Sequence, residues 1–492
     1  MTPQISIVFP NQIFKTNPCL SKQRRVFIVE DDLFFTYQPF HKMKLVLHRA
    51  SMKFYADYLT NQGFRVTYVD QKDYENLSAF IKLDLADEKV DEIHYCDPVD
   101  FLLSKRMNKA CNEYNIQAVQ YESPSFLNQT TLNEEFLGPT KKNYRLGDFY
   151  KKQRIHHNIL IDQGSPVGGK WSFDEENRQK LPKNYISSIP EFPIENQYVT
   201  RAAKYVEEYF GSNPGRIRPF IYPTTFDEAE RLLQNFIDFR LHDFGPYQDA
   251  LSEDQPFLNH SLLSSSLNNG LLTPKEVLNK IPYNEKLTFS SIEGFIRQLI
   301  GWREFIRAIY ERHGIEQRNS NFWNASNKLT SNILNLKPVQ DTHQKVLKCG
   351  YAHHIERLMI LANLFTIAEV LPTEIYNYFM QHFIDAYDWV MVPNVYGMGT
   401  YADGGLMSTK PYISSANYLV KMGAKKSNDW TTTWTALYWS FIHQHQKFFK
   451  SNHRTIPMTF QLDKMKNEQL IEHLRHANEF LDHTQSKKVL SC

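Results

Sequence analysis

The stretch RVFIVEDDLFFTYQPFHKMKLVLHRASMKFYADYLTNQGFRVTYVD (25–70) decides the fold. RVFIVE (25–30) and FRVTYVD (64–70) are short runs of β-branched and aromatic residues, the composition of strands buried in a sheet. Between them Leu45, Met52, Tyr55 and Leu59 recur at near-helical spacing, and Gly63 stops the helix. The alternation extends on both sides. ISIVF (5–9) reads as a strand before it. A helix near 75–88, a strand EIHYC (92–96), a helix near 99–114 and a strand AVQYE (118–122) follow. Strand–helix alternation at this pitch implies right-handed crossovers and a parallel sheet covered on both faces. After the first strand stands Pro10-Asn11-Gln12 where a dinucleotide fold would carry G-x-G-x-x-G. A dinucleotide is therefore not expected on this sheet, although the carboxyl ends of its strands can still receive a ligand.

The chain divides into three parts. Residues 1–130 form the α/β unit. Residues 131–224 carry turn signals (GSPVGGK, SSIPEFPIE, GSNPGRIRPFIYP) and read as a long connector with a few short helices. Residues 225–492 hold repeated amphipathic segments such as FDEAERLLQNFIDFRL and TEIYNYFMQHFIDAYDWV, so the expected architecture is an α/β domain followed by a larger all-α domain.

Composition narrows the class. With 42% hydrophobic and 22% charged residues the chain is globular rather than disordered. A net charge of +2 excludes a grossly basic nucleic-acid tail, so any such surface is a local patch. The five cysteines (Cys19, Cys96, Cys111, Cys349 and Cys492) contain no C-x-x-C and fit reduced thiols in a cytosol. MTPQISIVFPNQIF reads as a strand and not as a signal peptide. LMILANLFTIAEVL, interrupted by Asn363, Thr366 and Glu369, is too short and polar to span a bilayer. The expectation is a soluble, cytoplasmic monomer.

Four segments of the helical part concentrate chemistry-bearing residues. FLNHSLLSSSLNNGLL (257–272) offers hydroxyls and small residues before a glycine, and Ser261 and Ser264 lie three apart. Backbone N–H groups and hydroxyls of this kind hold a pyrophosphate; the same pattern also suits a Ser-rich helix cap. GFIRQLIGWREFIR (294–307) puts Arg297, Trp302 and Arg303 on an amphipathic helix, where a lone Arg or Trp serves equally as core scaffolding. YAHHIERLM (351–359) carries His353 and His354, which point about 100° apart on a helix and cannot easily chelate one metal. One of them can face a cavity while the other packs. IDAYDWVMVPN (384–394), running into NVYGMGTYADGGLMSTKPYISSANY (394–418), supplies Asp385, Asp388 and Asn394. Asp385 alone could equally be a local cap or ion-pair partner.

Together and in this order, these segments resemble the photolyase/cryptochrome family, and the last two look like its bacterial (6-4) photolyase branch. The resemblance covers nearly the whole chain. It implies FAD in the helical domain. The family's phosphate-contacting stretch maps to His260, Ser261, Leu263 and Ser264. The 294–307 helix would line the flavin cavity with Trp302, and Arg297 would meet a phosphate or an acidic group of the flavin site. Glu304 and Phe305 would only pack. Asp385 and Asn394, with Asp388, would serve the ring edge. His354, the second of the pair with His353, would donate a proton to the photoproduct. Leu358 stands where eukaryotic members carry a further His, so a single-histidine relay is implied.

The chain also departs from that branch. Its members bind an iron–sulfur cluster through four cysteines, three of them C-terminal; here no Cys lies between Cys349 and Cys492, and no cluster is expected. Trp430, Trp434 and Trp439 occupy that stretch and could staple it by packing. The branch's Trp-Tyr relay corresponds to Tyr378 and Phe379, so photoreduction would need another path, with Tyr378, Trp389 or Trp302 as candidates. The branch binds a ribityl lumazine antenna; its Asp after the first strand matches Asn11 here, and Phe34 stands in place of a pocket acid. Asn11, Glu30 and the helix from His41 onward are therefore the candidate pocket residues, and the identity of a second chromophore is open. For UV-damaged DNA, the basic candidates are Lys421, Lys425, Lys426, Lys450 and Arg454. His443, His445 and His453 read as polar surface. The expected activity is blue-light DNA repair, with a non-repairing cryptochrome photoreceptor as the rival.

Overall fold

A computed structural model of the chain describes residues 4–82, 90–139, 143–282 and 287–485. Five parallel strands form the first unit: β1 (Gln4–Val8), β2 (Arg25–Val29), β3 (Arg65–Val69), β4 (Glu92–Cys96) and β5 (Gln117–Tyr121). Their order is β3-β2-β1-β4-β5, so the chain reverses direction of travel across the sheet at β1. Ile5 pairs with Arg25 on one side of β1 and with Ile93 on the other. Ile7, Val8, Val26, Ile28 and Ile93 are fully buried, as central parallel strands demand. The 20-residue helix Lys42–Asn61 covers β3, and Phe101–Glu113 covers β5. Of the helix expected near 75–88, Leu77–Phe80 is helical, and positions 83–88 lie outside the described residues, as does Cys492.

The 131–224 region is more structured than a connector. Thr130–Leu137 and Leu146–His156 are helices, and Gln197–Phe210 is a 14-residue helix that packs along Lys42–Asn61. From Phe226 onward the described chain is almost wholly helical. Thr225 and Glu228 form a capping box that starts Phe226–Phe239, and Thr273 and Glu276 do the same for Pro274–Lys280. Three of the four motif segments contain a π-helical turn: Arg297–Arg303, Glu356–Ala362 and Pro393–Gly399. Such turns insert one residue and rotate everything beyond them by roughly 100°, a device common at functional sites. No described helix is long and apolar enough to cross a membrane.

The two units meet where the site lies. The loop after β1 donates Ile13 N–H to the Asn269 carbonyl at 2.9 Å. Gly270, at φ 93°, makes this approach possible: a Cβ there would lie 2.8 Å from the Phe14 ring and 2.9 Å from Ile13 N. From the other side Lys44, buried in the Lys42–Asn61 helix, donates to the Ala386 and Met380 carbonyls at 2.6 and 3.2 Å. The Ser-rich segment and the Asp385 segment are thus both pinned to the α/β unit.

Candidate active site

The short helix Ser264–Asn269 is held by its neighbours' side chains. Asn268 donates to the Asp385 carbonyl at 2.8 Å. Arg303 donates to Asn268 Oδ1 at 2.5 Å, to the Leu267 carbonyl at 3.0 Å and to the Ser125 carbonyl at 3.1 Å. Its guanidinium lies between the Phe126 and Trp389 rings, 4.9 and 4.8 Å from their centroids, and burial lowers its pKa to about 10. Ahead of this helix, His260 stacks on His353 with ring centroids 4.8 Å apart. Burial holds both imidazoles neutral, far below the ordinary histidine value. Ser261 Oγ accepts the Leu263 N–H at 3.4 Å. Among the described residues, His260 Nε2, His353 Nδ1, Ser265 Oγ and Ser266 Oγ are buried with no hydrogen-bond partner. Four unmatched polar atoms around one segment fit a ligand that presents several oxygens, as a pyrophosphate does.

The centre of the arrangement is an ion pair. Arg357 reaches across to Asp385 with two hydrogen bonds, 2.9 and 3.1 Å. Burial would raise the Asp385 pKa, but the Arg357 charge and hydrogen bonds from Arg357 and Ser264 hold it below the ordinary value. One helical turn before Arg357, the His353 N–H donates to Glu356 at 3.0 Å, and Lys345 holds the same carboxylate at 2.5 Å. His354 differs from its neighbour. Its side chain is exposed, whereas the His353 ring is buried. Desolvation by its surroundings and the Arg357 charge lower its pKa to about 4. Leu358 is buried.

Several expected roles are redirected. Arg297 is not free for a phosphate: it is spent on Glu293 at 3.1 Å and Asp174 at 3.0 Å. Arg303, at the far end of the π turn, is the arginine of this helix that reaches the Ser-rich segment. Glu304 does more than pack: it accepts the Leu127 N–H at 2.8 Å, and burial pushes its pKa up to about 7. Asp388 is engaged by the Tyr310 and Tyr376 hydroxyls, each at 2.5 Å, and by Arg318, away from the Asp385 pair. Asn394 bonds its own helix at the Val390 carbonyl, 2.8 Å. Trp302 is half-buried against Phe305, with ring centroids 6.2 Å apart.

The remaining candidates are dispersed. Trp389 is buried edge-on to Phe126, 4.9 Å between centroids. The Tyr378 hydroxyl lies 2.9 Å from His343 Nδ1, and its ring stacks on His382 at 4.5 Å. Asn11 donates to the Pro98 carbonyl at 2.9 Å. Glu30 accepts from Arg49, from the Tyr68 hydroxyl and from the Gln71 N–H. Phe34 and Tyr387 crowd His48, whose Nε2 lies 2.9 Å from the Tyr387 hydroxyl. Arg49 and Tyr68 also line a surface cleft of about 570 Å³.

On the surface, Lys421 and Lys426 are exposed, whereas Lys425 pairs with Glu253 at 3.0 Å and Lys450 with Asp463 at 3.3 Å. Lys450 and Arg454 do not share a helix face, because the helix Gln446–Ser451 ends between them; Arg454 turns to Thr409 at 2.9 Å. His445 pairs with Glu369 at 3.0 Å. Trp434 is fully buried, donating to the Ser414 carbonyl at 3.0 Å. Among the described residues no group of three or more His, Cys, Asp or Glu is placed to hold a metal ion.

Sequence reading passed over Arg357, Asn268 and Lys44, and it named Arg303 but gave the ligand role to Arg297. The signal for Arg357 was its place three residues after His354 in a segment already singled out.

The chain is similar to known proteins in sequence and in fold. Residues 6–222 match the family model for deoxyribodipyrimidine photo-lyase-related proteins. The chain is 33% identical over 457 residues to a (6-4) photolyase of Agrobacterium fabrum, covering 88% of this chain and 89% of that one. Among solved structures, a bacterial class III photolyase from Agrobacterium tumefaciens superposes with a TM-score of 0.56 at 13% identity, covering 99% of this chain and 97% of that one. An archaeal photolyase from Sulfolobus tokodaii with two FAD molecules gives 0.53 at 16% identity, covering 80% and 82%. A Synechocystis cryptochrome gives 0.52 at 15% identity, covering 81% and 83%. At these identities the structures establish the fold.

Proposed function

Because the chain belongs to the photolyase/cryptochrome family and is similar to a bacterial (6-4) photolyase, but has no Cys between Cys349 and Cys492, we propose that it is a blue-light-driven DNA photolyase acting on (6-4) pyrimidine photoproducts. The observation that carries this reading is His354: an exposed, neutral imidazole within the electrostatic reach of the Arg357–Asp385 pair.

The donor set around the Ser-rich segment fits FAD: His260, Ser261, Leu263 and Ser264 would hold its phosphates, and Asp385, Arg357 and Arg303 would serve its ring system. A reduced flavin held there supplies, under blue light, an electron that the lesion later returns. The chain's own part is positioning and proton control. Arg357 keeps Asp385 ionised, and Asp385, through its carbonyl, fixes Asn268. Glu356 ties down the His353 backbone, so the His353 ring stays packed and the His354 ring stays exposed. A flipped-out lesion docked against His354 would bring phosphate and base oxygens to it, raising its pKa and readying it to deliver a proton to the migrating group. Exposed Lys421 and Lys426 would steer the duplex backbone.

The experiment is repair of an oligonucleotide carrying one defined (6-4) lesion under blue light, for wild type and His354→Ala. Wild-type repair that the substitution abolishes supports the reading. A second reading, a non-repairing photoreceptor, is favoured by the neutralisation of Lys425 and Lys450 by Glu253 and Asp463. It requires that wild type leave the lesion untouched even when its flavin is reduced.

A further inference from the structure

Three arginines are among the largest fully buried side chains: Arg154, Arg240 and Arg307. Two are satisfied. Arg154 donates to the carbonyls of Ile159, Leu160, Lys170 and Trp171. Arg307 donates to Asn128, Thr130 and Glu311. Arg240 is not. Its Nε, Nη1 and Nη2 are all buried without a hydrogen-bond partner among the described residues. A guanidinium stays charged, and a buried, unpaired charge is among the costliest things a fold can contain.

Its place in the fold says what it awaits. Arg240 sits at the break between the helices Phe226–Phe239 and Leu241–Tyr247, its guanidinium 5.8 Å from the Phe236 ring. Phe236 touches Phe244 at 6.0 Å, and Phe244 touches His260 at 6.1 Å. The other orphaned polar atoms of the site, on His260, Ser265, Ser266 and His353, belong to the segments this chain of rings leads to. All four of these residues can donate to a multi-oxygen anion, and Tyr351, two residues before His353, lies within electrostatic reach of Arg240.

We propose that Arg240 is an anion anchor, pairing its guanidinium with a phosphate group of the ligand held by the helical domain. The identification of that phosphate as part of FAD rests on the functional reading above; the need for an anion does not. Planar, forked donation is the geometry in which arginine binds phosphate oxygens. Arg240 then acts as a binding residue that discriminates phosphorylated flavins from the bare ring.

The test uses the purified full chain as wild type, Arg240→Met and Arg240→Lys. Flavin affinity is measured for FAD and for riboflavin, and melting temperature is measured with and without inorganic pyrophosphate. Expected are a loss of FAD affinity of ~10–100-fold in Arg240→Met, unchanged riboflavin affinity, and partial recovery in Arg240→Lys. The flavin-free Arg240→Met protein should melt higher than wild type, since the unpaired charge is gone, and should lose the stabilisation by pyrophosphate. FAD affinity within twofold of wild type, or equal loss of FAD and riboflavin, would overturn the anchor. Should wild type take up no flavin yet be stabilised by pyrophosphate through Arg240, the anchor stands and the flavin reading falls.

Discussion

Arg357 and Asp385, 28 residues apart, meet in two hydrogen bonds of 2.9 and 3.1 Å and join the histidine segment to the helix turn that Asn268 and Lys44 also hold. Removing one partner strands the other. Asp385→Ala should cost about 3 kcal/mol in chemical denaturation. A double substitution, Arg357→Met with Asp385→Leu, should recover part of that loss without restoring flavin binding, because the packing returns and the charge does not.

Glu304 carries a pH signature. Its folded pKa of about 7 lies above the unfolded carboxylate value, so its ionisation costs stability above pH 7 and nothing once both states are protonated at low pH. Glu304→Gln should therefore melt higher than wild type at pH 8, by about 1–3 kcal/mol in stability, and the gap should close by pH 4. Thermal denaturation of the two proteins across that range reads the effect directly.

Trp434 should bear the stability of the C-terminal helices. It is fully buried with its indole N–H bonded to Ser414, in the helix Asn428–Gln444 that packs on Asn467–Gln485. Trp434→Ala should cost about 3–5 kcal/mol, while addition of a strong chelator to wild type should leave the melting temperature unchanged.

Tyr378 is the candidate relay. Its hydroxyl faces a His343 that burial keeps neutral, so the phenol has a base for its proton if it gives up an electron. Tyr378→Phe should slow blue-light bleaching of the oxidised flavin band more than tenfold in the presence of an external reductant, with flavin content unchanged. His343→Ala should slow it less, and should abolish any solvent deuterium effect.

The sheet was legible because its strands obey one local rule. RVFIVE (25–30) and EIHYC (92–96) coincide with Arg25–Val29 and Glu92–Cys96 almost to the residue, since a buried parallel strand leaves its apolar content in one short run. The site was legible as segments but not as pairs. Nothing local distinguishes Arg303 from Arg297. The π turn between them rotates the helix, and that turn shows only in the backbone. The partner of Arg357 lies beyond two helices, and the partners that saturate Asp388 come from two distant helices, Tyr310 and Arg318 on one and Tyr376 on the other. The 131–224 region read as a connector because its turn signals are dense, whereas Gln197–Phe210 draws its stability from packing on Lys42–Asn61.

The most direct measurement is blue-light repair of a duplex carrying a single (6-4) lesion, followed against pH with flavin content fixed. Wild type should repair it, faster as the pH falls toward the pKa of His354 in the complex, and His354→Ala should lose more than tenfold of the rate with its flavin spectrum intact. Equal repair by His354→Ala, or none by wild type with reduced flavin, would contradict the account.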